Sequence, residues 1–551
     1  MLYIVRSILS LVLLMGCCGC LFASDAVILD ATDFGLKADG KSDDGPVICR
    51  LIQAAEKEKN ATIRFPDRQE IYVSSGQERY VFRLDRISNL TIDGNDSTFL
   101  VHKDLRFLHA TVCTNLTIKN LQVDVTPLPI AEATILNVPD SQTLKVRLEH
   151  PEQASVLGGP THEDGEQDFF GMLWLPGKVA MESDHYYVDG VTSDPEHQDV
   201  AYVRSPNPLP QSVERRIVPG ETRISLPVPG IAHRYGPSSM CRIDRCTDVD
   251  MRDVEVWSAP WFAFQIFRND GDLTFRRVHI RPKPDSGRIT SSWRDGFHVK
   301  GNKGKLLFDG CILEGMNDDA FNVSSHAWIV TECPAENQVR IHQILPIQAM
   351  PPQNGGTLFA LSPDGSRRLE SVQINQIDGM PDDESIFSPG HVRPPELLLM
   401  LDKPVSGLEK GCVVWDQSTS NPDVTIRNCT IKHSCRFQSP VTVEDCDVYA
   451  LMWFYANEVE GPLPSGSVVR GCTLRQGRGN PKYAVSVIGW RELKEPEVLP
   501  PKDVFPLQDF RFENNRVFGR LLLNGVNGFK LKNNSFVEGE YAIDIKNSVE
   551  K

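Results

Sequence analysis

The sequence lacks any dense run of lysine and arginine. Its 58 Lys and Arg residues are outnumbered by 73 Asp and Glu residues, giving a net charge of −15 at pH 7. This balance argues against nucleic acid or an anionic membrane surface as a partner. Beyond its first residues, the chain also lacks an apolar stretch long enough to span a bilayer. We therefore expect a neutral or polyhydroxylated substrate.

The first residues, 1–24, have the features of an export signal. Arg6 supplies an early positive charge, and the apolar run Ile8–Met15 is too short for a stable membrane span. A Leu-Met-Gly-Cys sequence ending at Cys17 resembles a bacterial lipobox, whereas cleavage after Ala23 would release a soluble protein. We expect an exported bacterial protein that is periplasmic, secreted or held at the cell surface by a lipid on Cys17.

The cysteines cannot form a complete disulfide framework. Three of the 14 lie in the leader, and the odd number left in the body cannot all pair. Four of them occupy one position of a recurring pattern: Cys311, Cys429, Cys446 and Cys472. We expect these four to be reduced, buried fillers rather than disulfides or zinc ligands.

The recurring pattern is the strongest signal in the chain. Segments such as "TNLTIKNLQV", "TDVDMRDVEV", "GKLLFDGCIL", "PDVTIRNCTI" and "NGFKLKNNSF" repeat the same apolar alternation around a small or polar turn. Alternation with period two indicates strands, and strand–turn–strand repeats are typical of solenoids. A repeat also accommodates 551 residues, which exceed an ordinary single core. The sequence predicts an all-β fold, a right-handed parallel β-helix.

Two long segments rich in Pro and Gly interrupt the repeat. Short alternating pieces such as "TLKVRLEH" and "LLLMLDKPV" predict inserted antiparallel β-barrel or β-sandwich domains. Near the start, the spacing of Val47, Leu51 and Ala55 predicts a capping helix, with Asp43 and Asp44 as its N-caps. The predicted units are a leader 1–24, a cap with first coils 25–124, an insertion 125–241, coils 242–327, a second insertion 328–417 and final coils 418–551.

An acidic pair stands at the head of one predicted strand. The sequence "DGFHV" at 295–299 recurs 24 residues later as "DAFNV", which aligns Asp295 with Asp319 and places Asp318 one residue earlier. Neighbouring coils of a β-helix lie about 4.8 Å apart. Three carboxyl groups should therefore share one patch. A polar loop at 282–291 precedes this patch and would form a wall beside it.

Crowded carboxylates repel one another, which raises the pKa of at least one of them, as a general acid requires. Arg294 aligns with Asp318, and the offset between later repeats would place Arg436 level with Asp318 as well. The candidate catalytic residues are Asp295, Asp318 and Asp319. The candidate substrate-binding residues are Trp293, Arg294, His298, Asn322 and Arg436. Nearby aromatic residues, Trp257, Trp261 and Trp453 to Tyr455, could stack on sugar rings or fill space between domains.

These residues resemble glycoside hydrolase family 110, the α-1,3-galactosidases. The similarity covers the cap "TDFGLKADGKSDD", the two insertions and the core "SGRITSSWRDGFHVKGNKGKLLFDGCILEGMNDDAFNV". It implies an exo-acting, inverting hydrolase of terminal α-linked galactose, with Asp295, Asp318 and Asp319 as the active-site acids. Glycoside hydrolysis needs one carboxylic acid and one carboxylate. We therefore expect an oligo- or polysaccharide substrate and no cofactor.

Other functions fit the same residues. A polysaccharide lyase would use the aspartates to hold calcium against a uronate, with Arg294 or Lys300 as base. A hydrolase of another family would act on uronates or sulfated galactans. A glycan-binding or structural β-helix would need no carboxylate cluster. The sequence does not indicate which Asp is the acid or whether the protein forms oligomers.

Overall fold

A computed structural model of the chain describes residues 26–151, 170–176, 179–228, 239–344, 350–380, 396–457, 459–476, 483–491, 501–537 and 542–551. The export signal, with Cys17 and Ala23, lies outside these residues. Within them, no helix combines the length and apolarity needed to cross a membrane.

Most of the chain winds into a parallel β-helix, because alternating apolar residues turn inward on strands that pair coil upon coil. One face, here called sheet 1, contains 21 strands in the described residues. They are Val27–Asp30, Ala61–Arg64, Glu70–Val73, Ser88–His102, Thr114–Thr126, Thr247–Val256, Leu273–Ile280, Lys305–Asp309, Ile312–Leu313, Asp423–Arg427, Thr430–Ile431, Thr442–Glu444, Asp447–Val448, Val468–Arg470, Thr473–Arg475, Leu507–Gln508, Arg511–Glu513, Arg516–Phe518, Val526–Lys532, Ser535–Phe536 and Val549–Glu550.

The opposite face, sheet 2, carries the candidate site. Its parallel strands are Tyr80–Asp85, Arg106–Thr111, Ser239–Asp244, Phe262–Phe267, Phe297–Lys300, Phe321–His326, Cys435–Phe437, Met452–Ala456, Val485–Arg491, Leu521–Asn524 and Ile543–Lys546. The short strand Glu460–Gly461 pairs antiparallel with Phe321–His326. The predicted parallel β-helix is confirmed.

The interior between the sheets is a ladder of apolar side chains. Phe264 pairs with Phe297, and Phe297 with Phe321, on successive coils. Their rings stack with centroids 5.0 Å and 5.3 Å apart. All three side chains are fully buried. The alignment of 295–299 with 319–323 is thereby confirmed. Because neighbouring residues of a strand point to opposite faces, His298 and Asn322 face outward.

Two antiparallel β units interrupt the helix, as predicted. The first is a seven-stranded sheet of Ile130–Asp140, Thr143–Leu148, Phe170–Leu175, Val179–Tyr187, Gly190–Ser193, Val200–Arg204 and Arg223–Pro227, with a short helix Gln211–Glu214. The second is a closed barrel of Trp328–Ala335, Gln338–Gln343, Thr357–Leu361, Val372–Asp378, Glu396–Leu401 and Val413–Asp416. The described residues also contain two 3₁₀ turns, Gln417–Thr419 and Lys502–Val504.

The capping helix spans Gly45–Ala55 and buries Val47, Leu51 and Ala55. Its two aspartates bind different N–H groups. Asp44 occupies the N-cap position, but its side chain caps no helical N–H and instead accepts hydrogen bonds from the backbone N–H groups of Lys37 and Ala38. Asp43 accepts from Gly45 and from the loop at Ser74 and Ser75. Asp43 therefore caps the first helical N–H, whereas Asp44 fixes the loop at Lys37 and Ala38.

Four cysteines form a buried ladder along one turn of the coils. Cys311, Cys429, Cys446 and Cys472 are buried and not disulfide-bonded. The backbone N–H of Cys311 donates to Cys429 Sγ, and that of Cys429 donates to Cys446 Sγ, each at 3.4 Å. The N–H of Cys472 donates to the amide oxygen of Asn515. Sulfur therefore serves here as a compact acceptor for turn N–H groups.

We expect these four thiols to remain reduced in the folded protein, because each is buried inside the coil stack. Thiol titration of protein unfolded without reductant should find most of them reactive. Finding all four cysteines oxidised would contradict the prediction that they are reduced.

Candidate active site

The site forms where the segments that lead into three strands of sheet 2 differ in length. Residues 314–320 join Leu313 to Phe321, whereas on the next coil residues 432–434 suffice to join Ile431 to Cys435. The longer connection carries Asp318 and Asp319 outward. On the preceding coil, residues 281–296 make the same crossing, and Asp295 lies one residue before its end.

The three predicted acids meet at this point. One oxygen from each of Asp295, Asp318 and Asp319 lies within 4.8 Å of the others. Asp295 and Asp319 are buried, whereas the side chain of Asp318 is 17% exposed. The stacking expected from the 24-residue spacing brings the buried pair together on adjacent coils.

Burial and crowding change the proton affinity of these groups. Burial, followed by the charge of Asp318, raises the pKa of Asp295 to about 8. Burial also raises the pKa of Asp319 well above its ordinary value, although Arg436 opposes this shift. Interacting carboxyls titrate as a set rather than singly. The cluster therefore holds at least one proton at neutral pH.

Two arginines bind the cluster. Arg294 Nη1 donates to Asp318 Oδ2 at 3.0 Å. Arg436 Nη2 lies 2.7 Å from Asp319 Oδ2 and 3.7 Å from Asp318 Oδ1. Ser434, which the sequence did not single out, donates its hydroxyl to Asp319 Oδ1 at 3.1 Å.

The predicted alignment of Arg436 with Asp318 is wrong. Arg436 pairs with Asn322, on the strand rather than before it. The repeat offset was measured upstream of the connection that is shorter on the later coil, so it does not apply beyond that connection. Arg436 still reaches the acids because its long side chain extends back toward them.

His298 and Asn322 occupy successive coils on the outer face of sheet 2. His298 Nδ1 lies 2.5 Å from Asp295 Oδ2, and its ring lies 4.4 Å from the ring of Phe262. Burial, then the charge of Lys300, lowers the pKa of His298 well below its ordinary value, which makes the ring neutral. A neutral imidazole orients Asp295 without placing a cation beside it.

Trp293 does not offer an exposed face for stacking. Its side chain is 1% exposed and packs 4.7 Å from Trp261, next to Ile130 of the first inserted sheet. The Arg294 guanidinium lies over both rings, 5.1 Å from that of Trp261 and 5.6 Å from that of Trp293. The sequence predicted that Trp293 lies next to the acids. Its buried ring, however, packs against Arg294 and supports that side chain instead of offering a surface to a sugar.

A second charged network adjoins the acids. Lys300 is buried and donates to the amide oxygen of Asn322 at 2.9 Å, to the hydroxyl of Ser324 and to Glu460. Glu460 Oε2 lies 3.9 Å from Arg436 Nη1. Burial alone would raise the pKa of Glu460, but the charges of Lys300, His326 and Arg436 hold it below its ordinary value.

Sequence reasoning missed Glu460 because it lies on a short antiparallel strand outside the repeat. Lys300 follows the aligned block "DGFHV" directly and points outward by alternation, so its position was available from the sequence. The position of its partner Glu460 could not be read from the sequence.

The first inserted sheet holds the segments that carry the acids. Glu132 accepts hydrogen bonds from the backbone N–H groups of Ile289 and Thr290 in the loop before Asp295. Ser225 Oγ donates to Asn317 Oδ1 at 2.9 Å, and both residues are fully buried. Asn317 directly precedes Asp318, so the inserted sheet fixes the start of the acidic pair.

Replacing Ser225 by Ala should lower kcat about tenfold while changing KM little, because Asn317 loses a fixed partner and the acids lose their alignment. The pH dependence of kcat should shift as well, since the carboxyl spacing sets the proton affinity of the cluster. Steady-state kinetics across pH would measure both. Replacing Ser193, on an outer strand of the same inserted sheet, by Ala is the matched control. A fall in stability with an unchanged pH profile would contradict the positioning role.

Comparison with known proteins identifies relatives among α-1,3-galactosidases. The chain is 24% identical over 441 residues to α-1,3-galactosidase B of Bacteroides thetaiotaomicron, covering 74% of this chain and 67% of that protein. It is 23% identical over 438 residues to α-1,3-galactosidase A of Bacteroides fragilis, covering 73% and 67%. For α-1,3-galactosidase A of Shewanella woodyi the values are 21% over 560 residues, covering 93% and 86%.

No established family profile matches the chain. Among solved structures, the A-module of Azotobacter vinelandii mannuronan C-5 epimerase AlgE4 aligns with a TM-score of 0.33 and 10% identity, covering 95% of this chain and 99% of that one. That similarity is too low to support an inference. The relatives in sequence confirm the predicted resemblance of this chain to the α-1,3-galactosidases.

Proposed function

We propose that the protein is an exo-acting glycoside hydrolase that removes terminal α-linked galactose, with α-1,3-linked galactosides as its preferred substrates. The observation that carries this proposal is the cluster of Asp295, Asp318 and Asp319, whose oxygens lie within 4.8 Å of one another in a chain similar to α-1,3-galactosidases. The cluster combines a held proton with carboxylates, which are the two components that glycoside hydrolysis requires.

Asp318 is the proposed proton donor to the departing oxygen. An exo-acting enzyme holds the terminal sugar inside and the rest of the glycan toward solvent, so the acid belongs on the outer side of the cluster. Asp318 has the most exposed side chain of the three acids. Protonation of Asp318 also removes the negative charge that contributes to the raised pKa of Asp295. The shared proton can then lie on Asp318 while Asp295 ionises.

Asp295 and Asp319 are the proposed pair that activates water. A water molecule that donates to two oxygens at about 2.8 Å with tetrahedral geometry joins oxygens about 4.6 Å apart. The separation of at most 4.8 Å fits this bridge. Attack by water held on the face opposite the leaving group inverts the anomeric centre. Arg436 neutralises Asp319, and Arg294 holds Asp318 in reach of the leaving oxygen.

The same oxygen cluster also favours a second candidate, a calcium-dependent lyase acting on uronates. Three carboxylates within 4.8 Å could hold a cation. Arg294 and Arg436 already supply positive charge at this site, which weakens the need for a metal ion.

The distinguishing experiment is a screen of the purified protein against α-galactosides, galacturonides and sulfated galactan oligosaccharides, with and without EDTA. We expect the protein to release galactose from α-1,3-linked galactosides, and we expect EDTA to leave the rate of release unchanged. Activity only on uronates, with a new ultraviolet absorbance and loss in EDTA, would establish the lyase instead. Activity only on sulfated galactans would point to a hydrolase of another specificity.

Export remains part of the proposal. The leader 1–24 predicts delivery across the inner membrane, followed by lipid attachment at Cys17 or cleavage after Ala23. The mass of the mature N-terminal peptide distinguishes the two products, and a peptide that retains Met1 would contradict both.

A further inference from the structure

A column of outward side chains runs along sheet 2 through the site. Gln265, His298, Asn322, Arg436 and Trp453 pair in register on successive coils. Gln265 and Asn322 are each 4% exposed, and the His298 side chain is 16% exposed. The exposed fraction rises to 25% for the Arg436 side chain and to 41% for Trp453. The column is therefore covered on its N-terminal side and opens beyond Arg436.

Trp453 is a large apolar side chain at the open end of this column. Its chain neighbours Met452 and Phe454 point into the core and are fully buried. Tyr455, two residues along the strand, packs edge-on against its ring with the centroids 5.7 Å apart. The contact with Tyr455 supports the exposed indole from one side.

The position of Trp453 relative to the acids is set by the coil spacing. It lies one coil beyond Arg436, whose guanidinium contacts Asp319, and two coils beyond Asn322. Two coil spacings are about 9.6 Å. A sugar whose anomeric carbon lies over the carboxyl cluster would therefore have its leaving group directed toward Trp453, since the column is buried in the opposite direction, at Gln265.

We propose that Trp453 is the stacking platform for the sugar ring on the leaving side of the cleaved bond. The apolar C–H face of a pyranose packs against an aromatic face, and tryptophan presents the largest such face. The substrate class is thus a galactose-terminated oligosaccharide with at least one further sugar ring. The inference rests on the proposed function and goes beyond it by assigning the residue that recognises the leaving sugar.

The test compares two substrates on three variants. The substrates are an α-1,3-galactosyl trisaccharide and α-galactosyl fluoride, which carries no second sugar. We expect Trp453→Ala to raise the ratio of trisaccharide KM to fluoride KM about tenfold, which corresponds to about 1.4 kcal/mol of lost binding. Trp453→Phe should restore most of the affinity. Tyr449→Ala, at another exposed aromatic residue on the surface, is the control that should leave the ratio unchanged.

Three results would overturn the role of Trp453 as a stacking platform. An active wild type with an unchanged KM ratio in Trp453→Ala overturns the platform while leaving the proposed hydrolase intact. An equal rise of both KM values shows a general distortion and also overturns it. A wild type without activity on either galactoside overturns the proposed function and the platform with it.

Discussion

Replacing Asp318 by Asn should lower kcat on an α-1,3-linked galactoside about 10²- to 10⁴-fold, the usual contribution of a general acid. The loss should be much smaller on α-galactosyl fluoride, because fluoride departs with little help from a proton donor. Steady-state kinetics on the two substrates measure the difference.

Replacement of Asp295 or Asp319 by Asn should lower activity on both substrates by comparable factors, because water activation is needed whatever the leaving group. Should Asp295→Asn spare the fluoride instead, the roles of acid and water activator would be exchanged. Near-native activity in all three variants, or a loss of stability that calcium reverses, would contradict the catalytic assignment.

The fold should survive these changes. The pKa of Asp295 is raised from its ordinary value of 3.8 to about 8 in the folded protein. Between those values the folded state binds more protons than the unfolded state, so the wild type loses stability as pH rises. Asn carries no such penalty. The Tm of Asp295→Asn should therefore equal or exceed that of the wild type, with the difference growing from pH 4 toward pH 8.

The second large effect concerns stability. Replacing Lys300 by Met should lower the free energy of unfolding by about 3–5 kcal/mol, because Glu460 is left as a buried charge without its closest cation. Lys300 is 1% exposed and donates to Glu460, Asn322 and Ser324, so water cannot replace it easily. Equilibrium urea denaturation measures the change.

The matched control is the double variant Lys300→Met with Glu460→Gln, which removes both charges and should recover part of the loss. The pKa of Glu460 lies below its ordinary 4.5 in the folded protein, so the pair contributes fully above that value. The contribution is lost as pH falls further, and the gap between wild type and Lys300→Met should narrow in acid. If the losses of unfolding free energy in Lys300→Met and in Glu460→Gln simply add up to the loss in the double variant, the two side chains are not coupled.

The sequence predicted the parts of the site that belong to the repeat. Phe297 and Phe321 alternate with outward residues in the same pattern, so their register, and with it the meeting of Asp295 and Asp319, followed from hydrophobic spacing. Arg436 was placed in the wrong register because residues 432–434 make a shorter connection than residues 314–320 on the previous coil. The offset counted before that connection holds across the barrel, but it does not apply to the strand that follows.

Contacts made by the insertions could not be predicted from the repeat. Trp293 is buried because Ile130 of the inserted sheet packs against the Trp261–Trp293 pair, and nothing in the spacing of the coils indicates that partner. Glu460 enters the site on an antiparallel strand of two residues, too short to show a period. Such tertiary contacts depend on how the separate units pack, which local patterns do not encode.

We propose that Asp295 and Asp319 hold a water molecule for direct attack on the anomeric carbon. Proton NMR of the wild-type enzyme during hydrolysis of an α-1,3-linked galactoside tests it most directly. We expect β-galactose to appear first and then to equilibrate slowly with the α anomer. If α-galactose appears first, a carboxylate has attacked the sugar itself and the claim is wrong.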